Sequence, residues 1–262
     1  MPYLSLGMFS IHELASVDMD DALRQAAALG FKQVEFAGFF GHSAVSIRDM
    51  LEKHGLRVSG THTSMSELVN AYDETLAYHR TIGNEHIIFP MEPLGSQEKI
   101  DAFVKALETL QPKAAADGIT LCYHNHLHEF SPNVDGSMIY EQIIERTDLQ
   151  LEIDTGWAFS AGQNPLEMMQ QYSDRLRFIH LRDSILSPLP VTGVPLSSLY
   201  SDIFKHGIGK PLGDGNAPIR EACKMAEALD IQLVIECEVK MPDGIGSLKR
   251  CLAYIETFDK PS

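Results

Sequence analysis

The stretch at residues 119–130, Ile-Thr-Leu-Cys-Tyr-His-Asn-His-Leu-His-Glu-Phe, opens as a short β-rich run. It then delivers His124, His126, His128 and Glu129 within six positions. Imidazoles and carboxylates are the groups that hold divalent cations and move protons near neutral pH. In a strand alternate residues share a face, so Thr120, Cys122, His124 and His126 should point one way. Three other strand-like runs end on the same kind of residue: 149–154 on Asp154, 177–180 on His180 and 231–236 on Glu236. A His or carboxylate at the carboxyl end of successive strands is how a parallel barrel gathers an active site. The four tips therefore read as one metal site.

The elements that must position these tips alternate regularly. Strand candidates lie at 3–6, 33–36, 57–62, 86–89, the opening stretch, 149–153, 177–181 and 231–236. Between and after them come helical patterns: from an Asp18 cap to Leu29, then 44–54, 66–82, 97–116, 136–146, 165–172, 217–229 and 246–258. Glycines close several of them, as helix C-termini prefer, and Pro112 should kink or divide the fourth. Few strands alternate polar with apolar residues, as expected when both faces are buried. Eight βα units predict a single (β/α)8 barrel domain over residues 1–262. The spacing agrees. His124 to Asp154 is 30 residues and Asp154 to His180 is 26, near the roughly 30 per unit of a barrel of this size. His180 to Glu236 is 56, one unit plus a long loop. That loop, 184–215, carries four prolines and five glycines and reads as an active-site lid or substrate-binding element.

Composition removes other classes. A formal charge of −15 argues against nucleic acid and anionic membrane surfaces. No window approaches 18 uninterrupted apolar residues, and the first residues show no secretory pattern. The four cysteines lack Cys-x-x-Cys spacing and read as buried thiols in a reducing compartment, so a cytoplasmic protein is expected.

The runs Tyr123-His-Asn-His126 with Glu129-Phe130, Glu152-Ile-Asp-Thr-Gly-Trp157, Phe178-Ile-His-Leu-Arg-Asp183 and Val234-Ile-Glu236 together resemble the xylose-isomerase-like TIM barrels, the sugar phosphate isomerase/epimerase family. The resemblance covers essentially the whole chain. It implies a divalent metal held by Glu, Asp, His and Glu at the ends of strands five to eight. The last three ligands fall on Asp154, His180 and Glu236. Where many members have Glu-Asn-His, this chain has His124-Asn125-His126, so the first ligand role passes to His124, with Glu129 as the alternative. A mixed imidazole and carboxylate set suits manganese first, then cobalt, iron or zinc, with magnesium less favoured. In the ketose 3-epimerase branch both metal-binding glutamates shuttle the proton, and a histidine follows the Asp ligand by three. Here those positions hold His124 and Trp157, which disfavours that branch. Other branches, dehydratases and keto-sugar lyases among them, use a histidine two residues after the first ligand as the base. That position is His126.

Other residues have bland alternatives of similar weight. His62, at the end of strand three, is a substrate contact or a core hydrogen-bonding group. Glu152 shares parity with Asp154 and should lie one layer below the metal, orienting His124 or His180 or forming a structural ion pair. Trp157 could stack on a sugar or pack a helix. Asp183 or Arg182 could reach substrate or shape a turn, and His128 reads as loop surface.

The leading expectation is a divalent-metal-dependent isomerase or epimerase of a keto-sugar or polyol-derived ketone. His126 or Glu236 would abstract the proton beside the carbonyl. A lyase or dehydratase of the same superfamily is the alternative. The expected partner is a small carbohydrate, not nucleic acid or membrane, and a homo-oligomer is left open.

Overall fold

The computed structural model describes residues 4–132, 136–187, 199–201, 205–237 and 244–258. Eight parallel strands close into a barrel in chain order: β1 (Leu4–Gly7), β2 (Gln33–Phe36), β3 (Arg57–His62), β4 (His86–Phe89), β5 (Thr120–His124), β6 (Gln150–Asp154), β7 (Leu176–Leu181) and β8 (Gln232–Ile235). Closure is made by β8 against β1, pairing Leu4 with Leu233 and Leu6 with Ile235. All eight expected strands are present, shifted by a residue or two at their ends.

Helices cover the outside, and their caps match the local sequence. Asp18 accepts from the Asp21 N–H at the start of Met19–Ala28. Gly55 and Gly83 end their helices at φ 65° and 73°, in the left-handed region that glycine enters without a Cβ clash. The helix expected at 66–82 is two, Met65–Asn70 and Tyr72–Ile82, separated at Ala71. The break accompanies burial of Tyr72, whose hydroxyl donates to Asp117 at 2.9 Å. Pro112 does not divide Gln97–Ala116 into two elements. The short helix Thr155–Ser160 was not expected, and it starts directly from the end of β6.

Inside the barrel Ile88, Cys122, Phe178 and Val234 form a small apolar cluster. Two residues further along three of these strands stand His124, His180 and Glu236. The strand period of two therefore carries the same inward face from an apolar plug to a polar tip. Within the segment 184–215, a short antiparallel pair joins Asp183–Ser184 to Gly209–Lys210; residues 188–198 and 202–204 of that expected lid lie outside the described residues. All four cysteines are free and buried. Among the described residues no helix is long and apolar enough to cross a membrane.

One buried group away from the tips sets an acid limit to stability. His79 is buried, and Asn84 Nδ2 donates to its Nδ1 at 2.9 Å. Burial lowers its pKa to about 4. The unfolded chain takes up this proton near the ordinary 6.5, so the contribution is complete above that pH. It is lost as pH falls from 6.5 towards 4, and amounts to on the order of 3 kcal/mol. Unfolding midpoints measured between pH 7 and 4 should fall more steeply for the wild type than for His79→Gln. Parallel curves would remove His79 from the acid transition.

Candidate metal centre and active site

The inward tips are organised in two layers. In the lower layer, two buried carboxylates tie three histidines together. Glu152 Oε2 accepts from His62 Nε2 and from His124 Nδ1, both at 3.0 Å. Glu35 Oε1 lies 2.8 Å from His180 Nε2 and 3.1 Å from His62 Nε2, and Glu152 Oε1 lies 3.2 Å from His180 Nε2. These contacts fix ring orientation and tautomer. With Nε2–H of His180 donated to carboxylate, its Nδ1 lone pair is the one presented to the upper layer. By the same logic His124 donates Nδ1–H downward to Glu152, which leaves its lone pair on Nε2. Burial alone would pull the His62 and His180 imidazoles down. The neighbouring carboxylates outweigh it, raising His62 to about 10 and His180 well above its ordinary value. His124 goes the other way: burial and the positive His180 beside it hold it well below.

The upper layer is Asp154, His180 and Glu236. One ligand atom from each lies within 4.8 Å of the others, with His180 Nδ1 at 3.5 Å from Glu236 Oε2 and 3.7 Å from Asp154 Oδ2. Asp154 occupies its place because it also caps the helix Thr155–Ser160. Its Oδ1 accepts from the Trp157 N–H at 2.7 Å, which aims Oδ2 inward. Glycine is required two residues later, since a Cβ on Gly156 would stand 2.8 Å from the Arg182 carbonyl oxygen. Asp154 Oδ2 and His180 Nδ1 are both buried without a hydrogen-bond partner. A buried carboxylate oxygen left unpaired costs a few kcal/mol, and here burial pushes the Asp154 carboxyl up to about 7 despite the pull of Arg182 and His180. A divalent cation is what such a set lacks, and the residues present fit one.

A cavity of about 500 Å³ opens above this layer. His62, His124, His126, Trp157, Tyr200 and Glu236 line its inner part, and Phe9 and Met91 its mouth. His126 lies past the end of β5, with its backbone N–H held by Glu129 Oε2 at 2.9 Å. Its ring packs against Trp157, centroids 5.4 Å apart, and its Nδ1 is buried without a partner. Burial, reinforced by the positive charge of Arg182, His62 and His180, keeps the ring well below the usual histidine range.

The structure thus gathers His62, His124, Glu152 and His180 in one group and Asp154, His180 and Glu236 in a second that shares His180, with His126 and Trp157 on the cavity wall. It corrects three readings. Asp183 does not face the cavity: its carboxylate accepts from the backbone N–H groups of Ser184, Gly213, Gly215 and Ala217 at 2.8–3.1 Å. That carboxylate pins the returning loop to the barrel. Glu129 is not among the groups within ligand distance of one another; it stands in the short 3-10 turn His128–Phe130 beyond β5 and accepts the Tyr123 hydroxyl at 2.9 Å. His128 is buried, not on the surface. Two groups, Glu35 and Tyr200, went unforeseen, and Arg182 is placed by the structure inside the site. Glu35 had a signal, a lone acid in the apolar run 33–36. Arg182 is fully buried, with its guanidinium 3.9 Å above the Trp157 ring and Nη1 3.3 Å from Glu236 Oε1. Tyr200 comes from the long loop, where no periodicity marks it.

A family model, the xylose isomerase-like TIM barrel, matches residues 23–258. The chain belongs to that family. Among curated members it is similar to the inosose dehydratase of Bacillus licheniformis, 23% identical over 265 residues, covering 91% of this chain and 86% of that one. Among solved structures it is similar to a sugar phosphate isomerase/epimerase from Parabacteroides distasonis, with a TM-score of 0.77, 21% identity, and coverage of 98% of this chain and 100% of that one. It is also similar to the IolI protein, solved with a bound zinc atom, with a TM-score of 0.68 and 11% identity over 99% of this chain and 100% of that one. At these identities the structural likeness carries the fold.

Proposed function

We propose that this chain is a divalent-metal-dependent lyase that removes water from a keto-polyol, of which an inosose is the first candidate. The observation that carries this is the unshared state of His126. Among the described residues of the cavity wall, its Nδ1 is buried and without a partner. Glu236, by contrast, faces Arg182 and His180. One free base suits removal of a proton from one face of a substrate carbon. A 3-epimerase needs a second base on the opposite face.

His124, Asp154, His180 and Glu236 would hold the ion, and manganese leads the metals that suit this donor set. When bound, the ion supplies a Lewis acid for the substrate's carbonyl oxygen. Glu35 and Glu152 keep the ligand imidazoles in the tautomers described above. His126 takes the proton beside the carbonyl, and Trp157 and His62 border the space for the polyol. The sequence similarity to inosose dehydratase over 91% of the chain supports elimination as the following step. An isomerase of a keto-sugar needs the same single base, returning the proton to the neighbouring carbon, and the same His126 geometry serves it.

The test is to give the manganese-loaded protein an inosose in deuterated water. Growth of the ultraviolet band of an unsaturated ketone is the expected result. Deuterium at the carbon beside the carbonyl without that band would point to the isomerase, and absence of both would remove carbon-acid chemistry on this substrate.

A further inference from the structure

The rim of the barrel divides in its chemistry. The carboxyl ends of β5 to β8 bring His124, Asp154, His180 and Glu236, and β3 brings His62. The chain leaving β1, β2 and β4 carries none of this: it runs Met8-Phe9 after β1, Ala37-Gly38 after β2 and Pro90-Met91 after β4. Phe9, Ala37, Gly38, Pro90 and Met91 all line the cavity, and no side chain among them can donate or accept a conventional hydrogen bond. Phe9 is 39% and Met91 44% exposed, so this apolar part is the open mouth. Beside it Phe40 is 41% exposed, its ring centroid 6.1 Å from that of His12, on which Phe9 stacks at 5.3 Å. Phe40 stands at φ 49°, a left-handed conformation that costs a bulky residue stability. Single exposed apolar side chains are ordinary, but three large ones at one entrance mark a binding surface.

The inner end is the opposite. His126 Nδ1 and Trp157 Nε1 are both buried without a hydrogen-bond partner among the described residues, and both residues line the cavity with His124 and Glu236. The oxygens of a polyol suit that end. A bare polyol suits the mouth badly, because hydroxyls turned towards Phe9 and Met91 would leave water and meet no partner. Nor does a six-carbon polyol need about 500 Å³, a volume in the range of cavities that enclose drug-sized ligands. We infer that the substrate is a keto-polyol bearing an apolar ring on the side away from its carbonyl, with the polyol at the inner end and the ring between Phe9 and Met91. This rests on the keto-polyol reading above and names the class of substituent that such a substrate carries.

The experiment compares three ketones on the manganese-loaded protein: an inosose, its cyclohexyl ether and its glucoside, the last two substituted on the hydroxyl opposite the carbonyl. Trp157 is the chain's one tryptophan and lines the cavity, so its fluorescence reports occupancy whether or not turnover follows. The cyclohexyl ether should bind roughly 10- to 100-fold tighter than the inosose, the usual worth of added apolar contact in a pocket, and the glucoside no tighter. Phe9→Ser and Met91→Ser, both at exposed positions that folding tolerates, should each bring the ratio of ether to inosose affinity towards one. Equal affinities for ether and inosose, an equal gain with the glucoside, or an unchanged ratio in both variants would overturn the apolar subsite. If the inosose still gives the unsaturated-ketone band in that case, the lyase reading stands without it. Tighter binding of the ether, with neither band nor deuterium exchange from any ketone, would keep the subsite and remove the lyase. No binding of any of the three, by fluorescence and by calorimetry, would overturn both.

Discussion

Asp154→Asn is expected to strip the protein of its metal and lower turnover by about 10³- to 10⁵-fold. That range is the loss of several kcal/mol of charge stabilisation at the reacting oxygen. Asparagine is close in shape and can still accept from the Trp157 N–H through its carbonyl oxygen, so the helix Thr155–Ser160 keeps its cap. It removes only the charge. The metal-free variant should therefore be no less stable than the metal-free wild type, and by linkage more so. The Asp154 carboxyl is raised to about 7 from an ordinary 3.8. In the metal-free wild type its ionisation costs folding stability as pH rises through that window, up to about 4 kcal/mol at neutral pH. The variant lacks the cost. Metal analysis by mass spectrometry, turnover, and thermal unfolding after chelation check the three parts. Retained metal with full turnover would remove Asp154 from the site. Metal binding by the wild type should also weaken as pH falls, because the carboxylates around His180 favour a proton that the ion must displace.

His126→Ala is expected to keep the metal and lose turnover by roughly 10²- to 10⁴-fold, the range for a general base. The side chain projects from beyond the end of β5 and is not among the groups within ligand distance of one another. Its loss should leave a space on the cavity wall and little else. The informative readout is deuterium exchange beside the carbonyl, which should fall with turnover. Exchange at the native rate would transfer the base role to Glu236, the other candidate at the cavity.

Much of this site was legible in the chain. Asp154, His180 and Glu236 announce themselves because each ends an apolar run and because the runs recur at one βα unit's spacing. His124 follows from the same parity. Glu152 follows as well: a residue two before a strand tip shares its face, and the structure sets it under His124 and His180 at 3.0 and 3.2 Å. These are local facts, fixed by the period of two in a strand and by the length of a unit.

The sequence alone therefore determined the barrel, the order of the tips and the chemical types that meet. It could not determine what each polar atom is already bonded to. Glu35 meets His180 across 145 residues, and that contact decides which imidazole nitrogen faces the carboxylates above. Asp183 directly follows Arg182 yet binds the backbone N–H groups of Ser184 and, from the returning loop, of Gly213, Gly215 and Ala217, while Arg182 turns inward to Trp157 and Glu236. Glu129 and His128 looked like spare ligands and surface, and folding buries both behind Tyr200. In each case the side chain's role depends on partners that only barrel closure brings within about 3 Å, the range where a hydrogen bond forms. Spacing along the chain carries no record of those partners.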